Sequence, residues 1–391
     1  MPRIAFLVSH PTQFEVPFYK YQCSLHLSGD SDIIFDVFFL KTSSVKDLFD
    51  PEIGGPPGWD FNDKEGYRHY EVPCRKLDRF KYFWKKLVAE EYDIIIINGY
   101  FKNDIWFHIF QAKVKKIPIV LRLDSILLSQ KNKWKKIVKK ILLPRFFCFF
   151  DAFLAVGSLS RQTLVYYGVP EKKIFLFPYA VDNDRFSMES GQARENKLHL
   201  RELYGLPREA VVFIAVIKFV AREGVFDLLK AFAVLKRIEP KVVLLLVGDG
   251  PQRQAVREMI EKEKLTNVIQ VGYQPYSQLP ILYGISDAFI HPPHEECWGV
   301  SVNEAMACGL PVILSNMVGS GADLLDGNGF KYTAGAVEEL VSHILALTRH
   351  EELRIEMGKR SSEIIEKWHF QGTVSQLENL VHFLKRSINI P

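Results

Sequence analysis

Two glutamates stand eight positions apart around a turn where a loop is expected to become a helix. They are Glu296 and Glu304 in "HEECWGVSVNEAMACGLPVI", residues 294–313, and the predicted helix runs from near Val300 to before Gly309. Carboxylates accept hydrogen bonds from hydroxyl groups, while a helix N-terminus offers backbone N–H groups that suit a diphosphate. Together these features fit a ligand with hydroxyls at both ends and a diphosphate between them, such as a nucleotide sugar. An equally good interpretation is that both glutamates are solvated and the turn only connects two elements.

Two basic residues lie on a second loop of the same kind. The stretch "VIKFVAREGVFDLLKAF" leaves a predicted strand at Lys218, passes Arg222 and enters a predicted helix after Gly224. Cations at a strand-to-helix turn can hold phosphate oxygens, and a glycine lets the backbone approach a ligand closely. Read alone, the loop fits a solvent-exposed connection somewhat better. Further on, "LLLVGDGP" places Gly248 after a buried strand, but it lacks the G-x-G-x-x-G spacing and is weak by itself.

The elements that must position these residues follow the pattern of a parallel α/β sheet, with short β-branched or aromatic runs between helix-length amphipathic segments. Predicted strands in the first half are "RIAFLVS", "IIFDVFFL", "DIIIINGY", "IPIVLRLD", "AFLAVG" and "KIFLFP". Those in the second half are "VVFIAVI", "KVVLLLVGDG", "VIQVGY", "AFIHPP" and "PVILS". The polar segment 185–209 between the two sets is predicted to be a linker.

Two domains are therefore expected, a Rossmann-like domain at 1–186 and a second one at 187–369. Doubly wound halves that face each other would place a ligand cleft where the carboxyl ends of their strands meet. The helical spacing of the C-terminal segment is interrupted around 368–372. This interruption predicts that 370–391 form a helix that packs back on the first domain.

The composition excludes several classes of protein. A chain of 391 residues with 48% hydrophobic and 25% charged residues is long enough for two cores and is not disordered. Its five cysteines form no C-x-x-C pair, which suits free thiols in a reducing cytoplasm. The apolar core of the N-terminus, 4–8, is too short for a signal peptide, and no segment has the roughly 18 apolar residues of a membrane span. The chain is expected to be cytoplasmic, either soluble or lying on a membrane surface.

The motifs of the second half resemble, in series, those of glycosyltransferase family 4. They are "VIKF…REG…DLLKAF", "LLLVGDGP", "VIQVGYQP…LPILYGISDAFIHPPHEECWGVSVNEAMACGLPVI" and "GNGF", of which "EECWGVSVNEAMACGLPVI" is the most specific. In the first half, "FLAVGSLSRQTLVYYGVPEKKIFLFPYAVDNDRF" looks like the family's end-of-domain segment. The resemblance implies the GT-B fold, with an N-terminal acceptor-binding and a C-terminal nucleotide-sugar-binding domain. It also implies metal-independent transfer of a sugar from a nucleoside diphosphate with retention of anomeric configuration.

Carried over residue by residue, the resemblance assigns roles to the two loops. Glu296 would hydrogen-bond the donor sugar's hydroxyls, and Glu304 would accept from the ribose. Lys218 stands where the family commonly has an arginine on the diphosphate, and stabilisation of that leaving group would be the main catalytic contribution. The remaining predicted donor-binding residues are Trp298, Gly299, Val300, Ser301, Gly248 and Tyr273. The donor is expected to be a UDP- or GDP-sugar, and no cofactor is implied.

Two positions depart from the family's pattern. The second family cation, usually a lysine directly before the glycine, is Glu223 here. Because a carboxylate cannot stabilise a diphosphate, we assign that role to the neighbouring Arg222. The family's N-terminal glycine-rich loop is replaced by "SHPTQFEVP", in which His10 and Gln13 are candidates for donor or acceptor contacts. Both departures keep open the alternative of a sugar-nucleotide-binding protein without catalysis.

Acceptor-side candidates lie on loops after first-domain strands, "NGYFKND" (98–104) and "LRLDSILL" (121–128). In the second loop Asp124 could orient the acceptor hydroxyl as a catalytic residue. A structural ion pair between Asp124 and Arg122 is an equally good interpretation.

No metal site is predicted. The "DND" stretch at 182–184 resembles a metal-binding D-x-D but belongs to the V-D-x-x-x-F segment that ends the first domain. His291, His294 and Cys297 cluster in sequence but lack the paired spacing of a zinc site. We expect His291 to end a strand instead.

A predicted helix at 131–147, "KNKWKKIVKKILLPRFF", concentrates positive charge in a chain whose net charge is only +4. At the spacing of a helix its apolar residues gather on one side and its lysines on the other, with no acidic residue among them. An ordinary Rossmann helix with its apolar face on the sheet explains the periodicity but not the lack of acidic residues. Anionic lipid attracts each basic residue by roughly 1 kcal/mol, which favours peripheral association with the inner membrane face. Nucleic acid fits less well, because no recognised binding motif accompanies the lysines.

The sequence thus predicts a retaining glycosyltransferase that moves a sugar from a nucleoside-diphosphate sugar to a hydroxyl of a saccharide or lipid-linked acceptor. Cell-envelope polysaccharide or glycolipid synthesis is the expected setting. A sugar-nucleotide 2-epimerase could share the fold and would convert the donor with no acceptor present. Neither the nucleotide, the sugar, the acceptor nor the oligomeric state is fixed by these residues.

Overall fold

The computed structural model describes residues 1–41, 52, 60, 64–73, 75–99, 105–127 and 133–388. The chain forms two compact units. The first comprises Met1–Leu48, Phe61–Ala180 and Phe370–Pro391, and the second comprises Phe49–Asp60 and Val181–His369. A short segment from the first half of the sequence therefore belongs to the second unit.

The first unit is built on a parallel sheet. Its strands are β1 (Arg3–Val8), β2 (Ile34–Phe39), β3 (Arg68–Glu71), β4 (Ile94–Asn98), β5 (Ile119–Leu123), β6 (Ala152–Ala155) and β7 (Ile174–Leu176). Within the described ranges their order is β3-β2-β1-β4-β5-β6-β7. The helices that alternate with them are α1 (Glu15–Ser28), α2 (Lys76–Ala89), α3 (Ile105–Val114), α4 (Lys133–Phe147) and α5 (Ser158–Tyr166).

The second unit repeats this architecture. Its helices are α6 (Asn183–Glu195), α7 (Lys197–Leu203), α8 (Val225–Ile238), α9 (Arg253–Lys262), α10 (Leu279–Gly284), α11 (Val300–Ala307), α12 (Gly321–Leu324), α13 (Val337–Arg349) and α14 (Glu351–Ile365). Its strands are β8 (Val211–Val216), β9 (Val242–Val247), β10 (Val268–Gly272), β11 (Ala288–His291), β12 (Val312–Ser315) and β13 (Gly329–Tyr332). They pair in parallel in the order β10-β9-β8-β11-β12-β13. The last helix, α15 (Phe370–Ile388), returns to the first unit.

Both sheets reverse their strand order beside the first strand. Strand β1 lies between β2 and β4, and β8 lies between β9 and β11. In open parallel sheets, ligands bind outside the carboxyl ends of the strands at such a switch point. The loops that leave β8 and β11 carry Lys218, Arg222 and Glu296, so this edge of the second sheet is the place to look for a site.

The sequences of the strands explain why they are buried. Parallel strands covered on both faces read as continuous apolar runs, and Ile4 to Val8 of β1 are all at most 1% exposed. The helix α15 adds six buried apolar side chains to the same core, namely Phe370, Val374, Leu377, Leu380, Val381 and Leu384. Packing of that stripe against the first sheet accounts for the helical spacing seen in the C-terminal sequence.

All the predicted apolar runs form strands, which confirms that part of the sequence analysis. The short strands β3 ("RHYE") and β13 ("GFKY") were missed because neither has an apolar run. The linker predicted at 185–209 is wrong, since most of it forms α6 and α7, and the boundary predicted after 186 falls inside α6. The segment reads as polar because much of it faces water, but the guanidinium of the buried Arg201 pairs with Asp287 at 2.7 Å.

Candidate functional site

Lys218 and Arg222 lie on one loop that leaves the second sheet at its switch point. A single 3₁₀ turn, Ala221–Glu223, follows β8 and leads to α8. Gly224 has a φ of +71°, and a Cβ there would lie 2.1 Å from the carbonyl oxygen of Pro292. Only glycine therefore lets this loop pack against the loop that follows β11.

The carboxylate of Glu52 lies between the two cations. The Nζ of Lys218 donates to its Oε2 at 2.8 Å, and the Nε and Nη2 of Arg222 donate to Oε1 and Oε2 at 3.0 Å each. Hydrogen bonds, first from Arg222 and then from Lys218, lower the pKa of Glu52 to about 2 against the opposing effect of burial. The two cations are thus positioned to hold a pair of anionic oxygens, with the guanidinium binding both of them.

Glu296 lies beside the same guanidinium. The Nη1 of Arg222 is 3.5 Å from Glu296 Oε2, and Oε1 accepts the N–H of Trp298 at 3.3 Å. The backbone of the loop is fixed as well, because the N–H of Gly319 donates to the Glu296 carbonyl at 3.0 Å. A Cβ on Gly319 would lie 1.9 Å from the carbonyl oxygen of Cys297. The structure therefore brings three predicted residues, Lys218, Arg222 and Glu296, together around Glu52.

Helix α11 begins at Val300, as predicted, and Gly299 precedes it with a φ of +90° and no side-chain capping bond. The side chain of Trp298 is 3% exposed. Its indole N–H donates to Asn303 Oδ1 at 2.9 Å. The ring of Trp298 is thus enclosed, and its backbone N–H and carbonyl already bond Glu296 Oε1 and the N–H of Ser320. Val300 and Ser301 are half-buried in the first turn of α11.

Glu304 lies on the second turn of α11 but is deeply buried. Its carboxyl is 2% exposed, and Oε2 accepts the hydroxyl of Tyr283 at 2.9 Å. Burial raises the pKa of Glu304 to about 7, although the Tyr283 hydrogen bond and the charge of Arg185 act in the opposite direction. Near neutral pH the group therefore changes between a carboxylate and a protonated acid.

Gly248 and Tyr273 lie at the carboxyl ends of the neighbouring strands β9 and β10. The N–H of Gly248 already donates to the carbonyl of Gly272 at 2.9 Å. Burial, together with the charge of Asp60, raises the pKa of Tyr273 to about 12, so its phenol stays neutral. Their donor-binding roles stay predictions.

Glu223 and His291 are buried next to the same loops. Burial and the charge of Glu296 raise the pKa of Glu223 to about 7, while Arg222 Nη1 lies 2.9 Å from its Oε1. Burial lowers the pKa of His291 to about 3, so the imidazole is neutral at physiological pH. His291 ends β11, which confirms its predicted position. The departure at Glu223 therefore binds and orients Arg222, the residue that the sequence analysis put in the family lysine's role.

In the first unit, the alternative of an Arg122–Asp124 ion pair is wrong. Arg122 lies within β5 and is buried, and its guanidinium pairs with the buried carboxylate of Glu15. A buried charge requires a buried partner, and Asp124 is exposed. One carboxylate oxygen of Asp124 accepts the hydroxyl of Tyr179 at 3.2 Å.

The other first-unit candidates are placed only in part. His10 and Gln13 are half-buried on the loop that leaves β1 at the switch point. Residues 100–104 of the "NGYFKND" loop and residue 128 of "LRLDSILL" lie outside the described residues. Asp182 of the "DND" stretch caps α6, since its Oδ1 accepts the N–H of Arg185 at 3.1 Å. Cys23, Cys148, Cys297 and Cys308 are free thiols.

Helix α4 does not place its predicted apolar face on the sheet. Its buried contacts are made by Leu143 and Phe147 instead. The side chains of the predicted face are 50% to 78% exposed: Trp134, Ile137, Val138, Ile141 and Leu142. Trp106 of α3 is 53% exposed and contacts Phe146 and Phe149 with ring centroids 5.4 and 5.6 Å apart. The exposed apolar residues of α3 and α4 thus adjoin, and we call them the α3–α4 surface.

Sequence reasoning missed two functional candidates, Glu52 and Glu15. Glu52 stands in no motif, and its contact with Lys218 spans 166 positions of sequence. Glu15 is the first residue of α1, directly after the loop of His10 and Gln13, so its position between a buried strand and a helix was a usable signal. Among the described residues, no helix has the length and hydrophobicity needed to cross a bilayer.

Comparisons with known proteins agree with this geometry. The model of Glycosyltransferase Family 4 matches residues 43–185, and that of Glycosyl transferases group 1 matches residues 197–364. An alpha-monoglucosyldiacylglycerol synthase of Acholeplasma laidlawii is 24% identical over 356 residues, 83% of each chain. A GDP-mannose-dependent alpha-(1-6)-phosphatidylinositol monomannoside mannosyltransferase of Mycolicibacterium smegmatis is 26% identical over 243 residues, 59% of this chain and 62% of that relative.

Solved structures share the fold. Anabaena HepE in complex with UDP and glucose has a TM-score of 0.74 at 16% identity, covering 98% of this chain and 100% of that one. A glycosyltransferase from Rickettsia africae has a TM-score of 0.76 at 19% identity, covering 99% of both chains. The two Rossmann-like units have the GT-B fold of these structures. With both halves matched, the chain belongs to glycosyltransferase family 4.

Proposed function

We propose that this chain is a retaining glycosyltransferase that uses a UDP- or GDP-sugar and glycosylates a hydroxyl of a lipid-linked or saccharide acceptor. The observation that carries the proposal is the set of hydrogen bonds that Lys218 and Arg222 donate to the two carboxylate oxygens of Glu52. Two phosphate oxygens of a donor would take the place of that carboxylate. By their names, the relatives above are a synthase of a monoglucosyldiacylglycerol and a phosphatidylinositol monomannoside mannosyltransferase, which supports a lipid-linked acceptor and a role in glycolipid synthesis.

The chemistry of the transfer would centre on the leaving group. The bond between the sugar's anomeric carbon and the diphosphate oxygen breaks, and its electron pair stays on the diphosphate, where Lys218 and Arg222 stabilise the charge. The acceptor oxygen bonds to the anomeric carbon from the same face, and its proton passes to the departing phosphate. Glu296 would hold hydroxyls of the sugar, and Glu304 those of the ribose.

A thermal-shift screen of UDP, GDP, ADP and dTDP with their sugar conjugates tests the donor class. One nucleotide at 100 times its dissociation constant is expected to add about 2.7 kcal/mol to the free energy of unfolding. The shift should vanish in Lys218→Ala and persist in the matched control Lys230→Ala, an exposed lysine of the same unit. The absence of a shift with every nucleotide would contradict the proposal.

Turnover assays then separate the alternatives. Transfer to an acceptor supports the proposed reaction, whereas conversion of the donor without acceptor would identify an epimerase. Nucleotide binding with neither reaction would favour a sugar-nucleotide-binding protein without catalysis. The observation that favours this alternative is Glu223, a carboxylate at the position where the family usually has a lysine.

We also propose that the α3–α4 surface holds the enzyme on the inner face of an anionic membrane. The surface combines exposed apolar side chains with Lys136, Lys139 and Lys140. An interfacial helix is held on lipid by two contributions, burial of apolar side chains and electrostatic attraction of basic side chains to anionic headgroups. Each lysine near anionic lipid contributes roughly 1 kcal/mol, and several apolar side chains add burial in the headgroup region.

Vesicle flotation measures this attachment. Replacing Lys136, Lys139 and Lys140 together by glutamine is expected to weaken partitioning onto phosphatidylglycerol vesicles by about 100-fold, since roughly 3 kcal/mol are removed. Ile141→Ser with Leu142→Ser should also weaken it, whereas Leu198→Ser with Leu203→Ser, two exposed leucines of α7, should not. Equal binding by all four proteins would rule out the α3–α4 surface as the attachment site.

A further inference from the structure

A buried acid lies beside the two cations of the candidate site. Glu223 ends the 3₁₀ turn on the loop of Lys218 and Arg222 and is 4% exposed. Arg222 Nη1 lies 2.9 Å from Glu223 Oε1 and 3.5 Å from Glu296 Oε2. The two acids are themselves close, with a carboxylate oxygen of each within 4.8 Å of the other. Ionised carboxylates at this distance repel each other, and the single guanidinium that they share also binds Glu52.

Charged groups act on Glu223 from several elements. The charges with the largest effect on its pKa are those of Lys218 and Arg222 on its own loop, Glu52, and Glu296 on the loop before α11. An imidazole nitrogen of His291, at the end of β11, also lies within 4.8 Å, but burial lowers the pKa of this histidine to about 3 and leaves it uncharged. In the first turn of α8, Asp227 pairs with His294 at 2.8 Å. Among the described residues, three carboxylates including Glu223 thus share two cations.

The acid can exchange a proton near neutral pH. Burial, and then the charge of Glu296, raise the pKa of Glu223 to about 7, while Arg222 acts in the opposite direction. At pH 7.5 Glu223 is therefore mostly ionised in the ligand-free protein. A modest increase in its affinity for a proton would protonate it.

A bound donor would supply that increase. The diphosphate of a nucleotide sugar carries two negative charges, whereas the carboxylate of Glu52, which it would displace from Lys218 and Arg222, carries one. The additional negative charge beside Glu223 favours its protonated form, because nearby charges of like sign raise the pKa of a buried carboxyl. The unprotonated oxygen of the neutral acid can still accept from Arg222 Nη1, so the guanidinium stays oriented.

We propose that Glu223 takes up a proton from solvent when the donor binds. A neutral acid then stands at the position where the family usually has a lysine, and the repulsion that a carboxylate would exert on the diphosphate is removed. Glu223 is a positioning residue that acts through Arg222 and does not itself have to contact the donor. The inference rests on the proposed donor site and deepens it. Since the proton and the donor bind together, donor affinity falls as pH rises.

Isothermal titration calorimetry counts the protons taken up per donor bound. UDP-glucose and GDP-mannose are the probes, because the diphosphate of a nucleotide sugar lacks the terminal phosphate whose second ionisation lies at about pH 6. Each is titrated into the full chain at about pH 7.5 in HEPES and in Tris, whose heats of ionisation differ.

We expect the wild type to take up roughly half a proton more than Glu223→Gln. A tenfold rise in proton affinity takes an acid with a pKa of about 7 from about one quarter to about three quarters protonated at that pH. The difference between the two proteins isolates Glu223 from Glu304, whose pKa is also about 7.

The dissociation constants of the two donors give a second readout, which a merely structural role of Glu223 would not move. The ratio of the wild-type constant to that of Glu223→Gln should rise about tenfold between pH 6 and pH 9, because only the wild type has this proton to lose. At about pH 6 the two proteins should bind alike, since glutamine resembles the neutral acid. The matched control Glu295→Gln, partly exposed on the loop before α11, should follow the wild type in both measurements.

Circular dichroism checks that Glu223→Gln is folded. If it is not, Glu304→Gln supplies the test, because this variant has no ionisable group at position 304 and should itself take up roughly half a proton. Equal proton counts in the wild type and Glu223→Gln, or no uptake by Glu304→Gln, would overturn the inference and leave the donor site in place. If neither donor binds, the proposed function fails and the inference fails with it.

Discussion

Replacing Arg222 by glutamine is expected to lower kcat for glycosyl transfer by about 10²- to 10³-fold, the usual effect of removing one preorganised donor from a developing anion. Two donors of this guanidinium hold both oxygens of Glu52 at 3.0 Å, and the same fork would hold the leaving diphosphate. Its position is fixed beforehand by the carboxylate of Glu223 at 2.9 Å, so little reorganisation is needed during the reaction. Initial rates at saturating donor and acceptor measure the effect.

Arg208→Gln is the matched control, because this exposed arginine of the second unit pairs only with Glu202 among the contacts described. It should leave kcat unchanged. Glu52→Gln should act in the opposite sense on donor binding, since a donor would no longer displace a carboxylate. For a partly exposed ion pair worth about 1 kcal/mol, the dissociation constant of the nucleotide should fall roughly fivefold. An Arg222→Gln enzyme with wild-type kcat would exclude the guanidinium from the leaving-group site.

Replacing Glu304 by glutamine is expected to stabilise the ligand-free enzyme at and above neutral pH. Burial raises the pKa of this carboxyl from 4.5 to about 7 in the folded state. Below pH 4.5 the carboxyl of Glu304 is protonated in both the folded and the unfolded protein, so its burial does not make the free energy of unfolding depend on pH. As pH rises from 4.5 to 7 the unfolded state ionises first, so the wild-type free energy of unfolding falls by about 1.4 kcal/mol per pH unit. Glutamine does not ionise and escapes a total penalty of about 3 kcal/mol.

Urea unfolding at pH 4.5 and pH 8 measures the difference between the wild type and Glu304→Gln. The amide oxygen of glutamine can still accept the hydroxyl of Tyr283, so the comparison isolates the charge. Glu295→Gln, which removes a partly exposed carboxylate from the neighbouring loop, should follow the wild-type pH dependence. If the free energy of unfolding changes equally between pH 4.5 and pH 8 in the wild type and in Glu304→Gln, the raised pKa of Glu304 is contradicted.

Much of the fold could be predicted because parallel strands that are covered on both faces are apolar along most of their length. The runs that became β1, β4, β8 and β9 are buried on both faces, as are those of β5, β6, β11 and β12. Residues directly after those runs, Lys218 and Glu296 above all, could be assigned to one edge of the sheet for the same reason. Short polar strands such as β3 carry no comparable signal. Their pairing depends on the neighbouring strand, and local sequence does not encode it.

The sequence by itself determined where the strands and the chemically active loops lie, and that α4 has an apolar and a basic side. Tertiary structure decided which groups meet and how far water reaches them. Glu52 reaches Lys218 across 166 positions, and Arg122 pairs with Glu15 across 107, through chain paths that no local pattern encodes. Burial makes Glu304 a weak acid and His291 a neutral base, because desolvation depends on everything packed around a group. In the same way, the packing of α4 buries Leu143 and Phe147 in the core and leaves Trp134 and its apolar neighbours exposed.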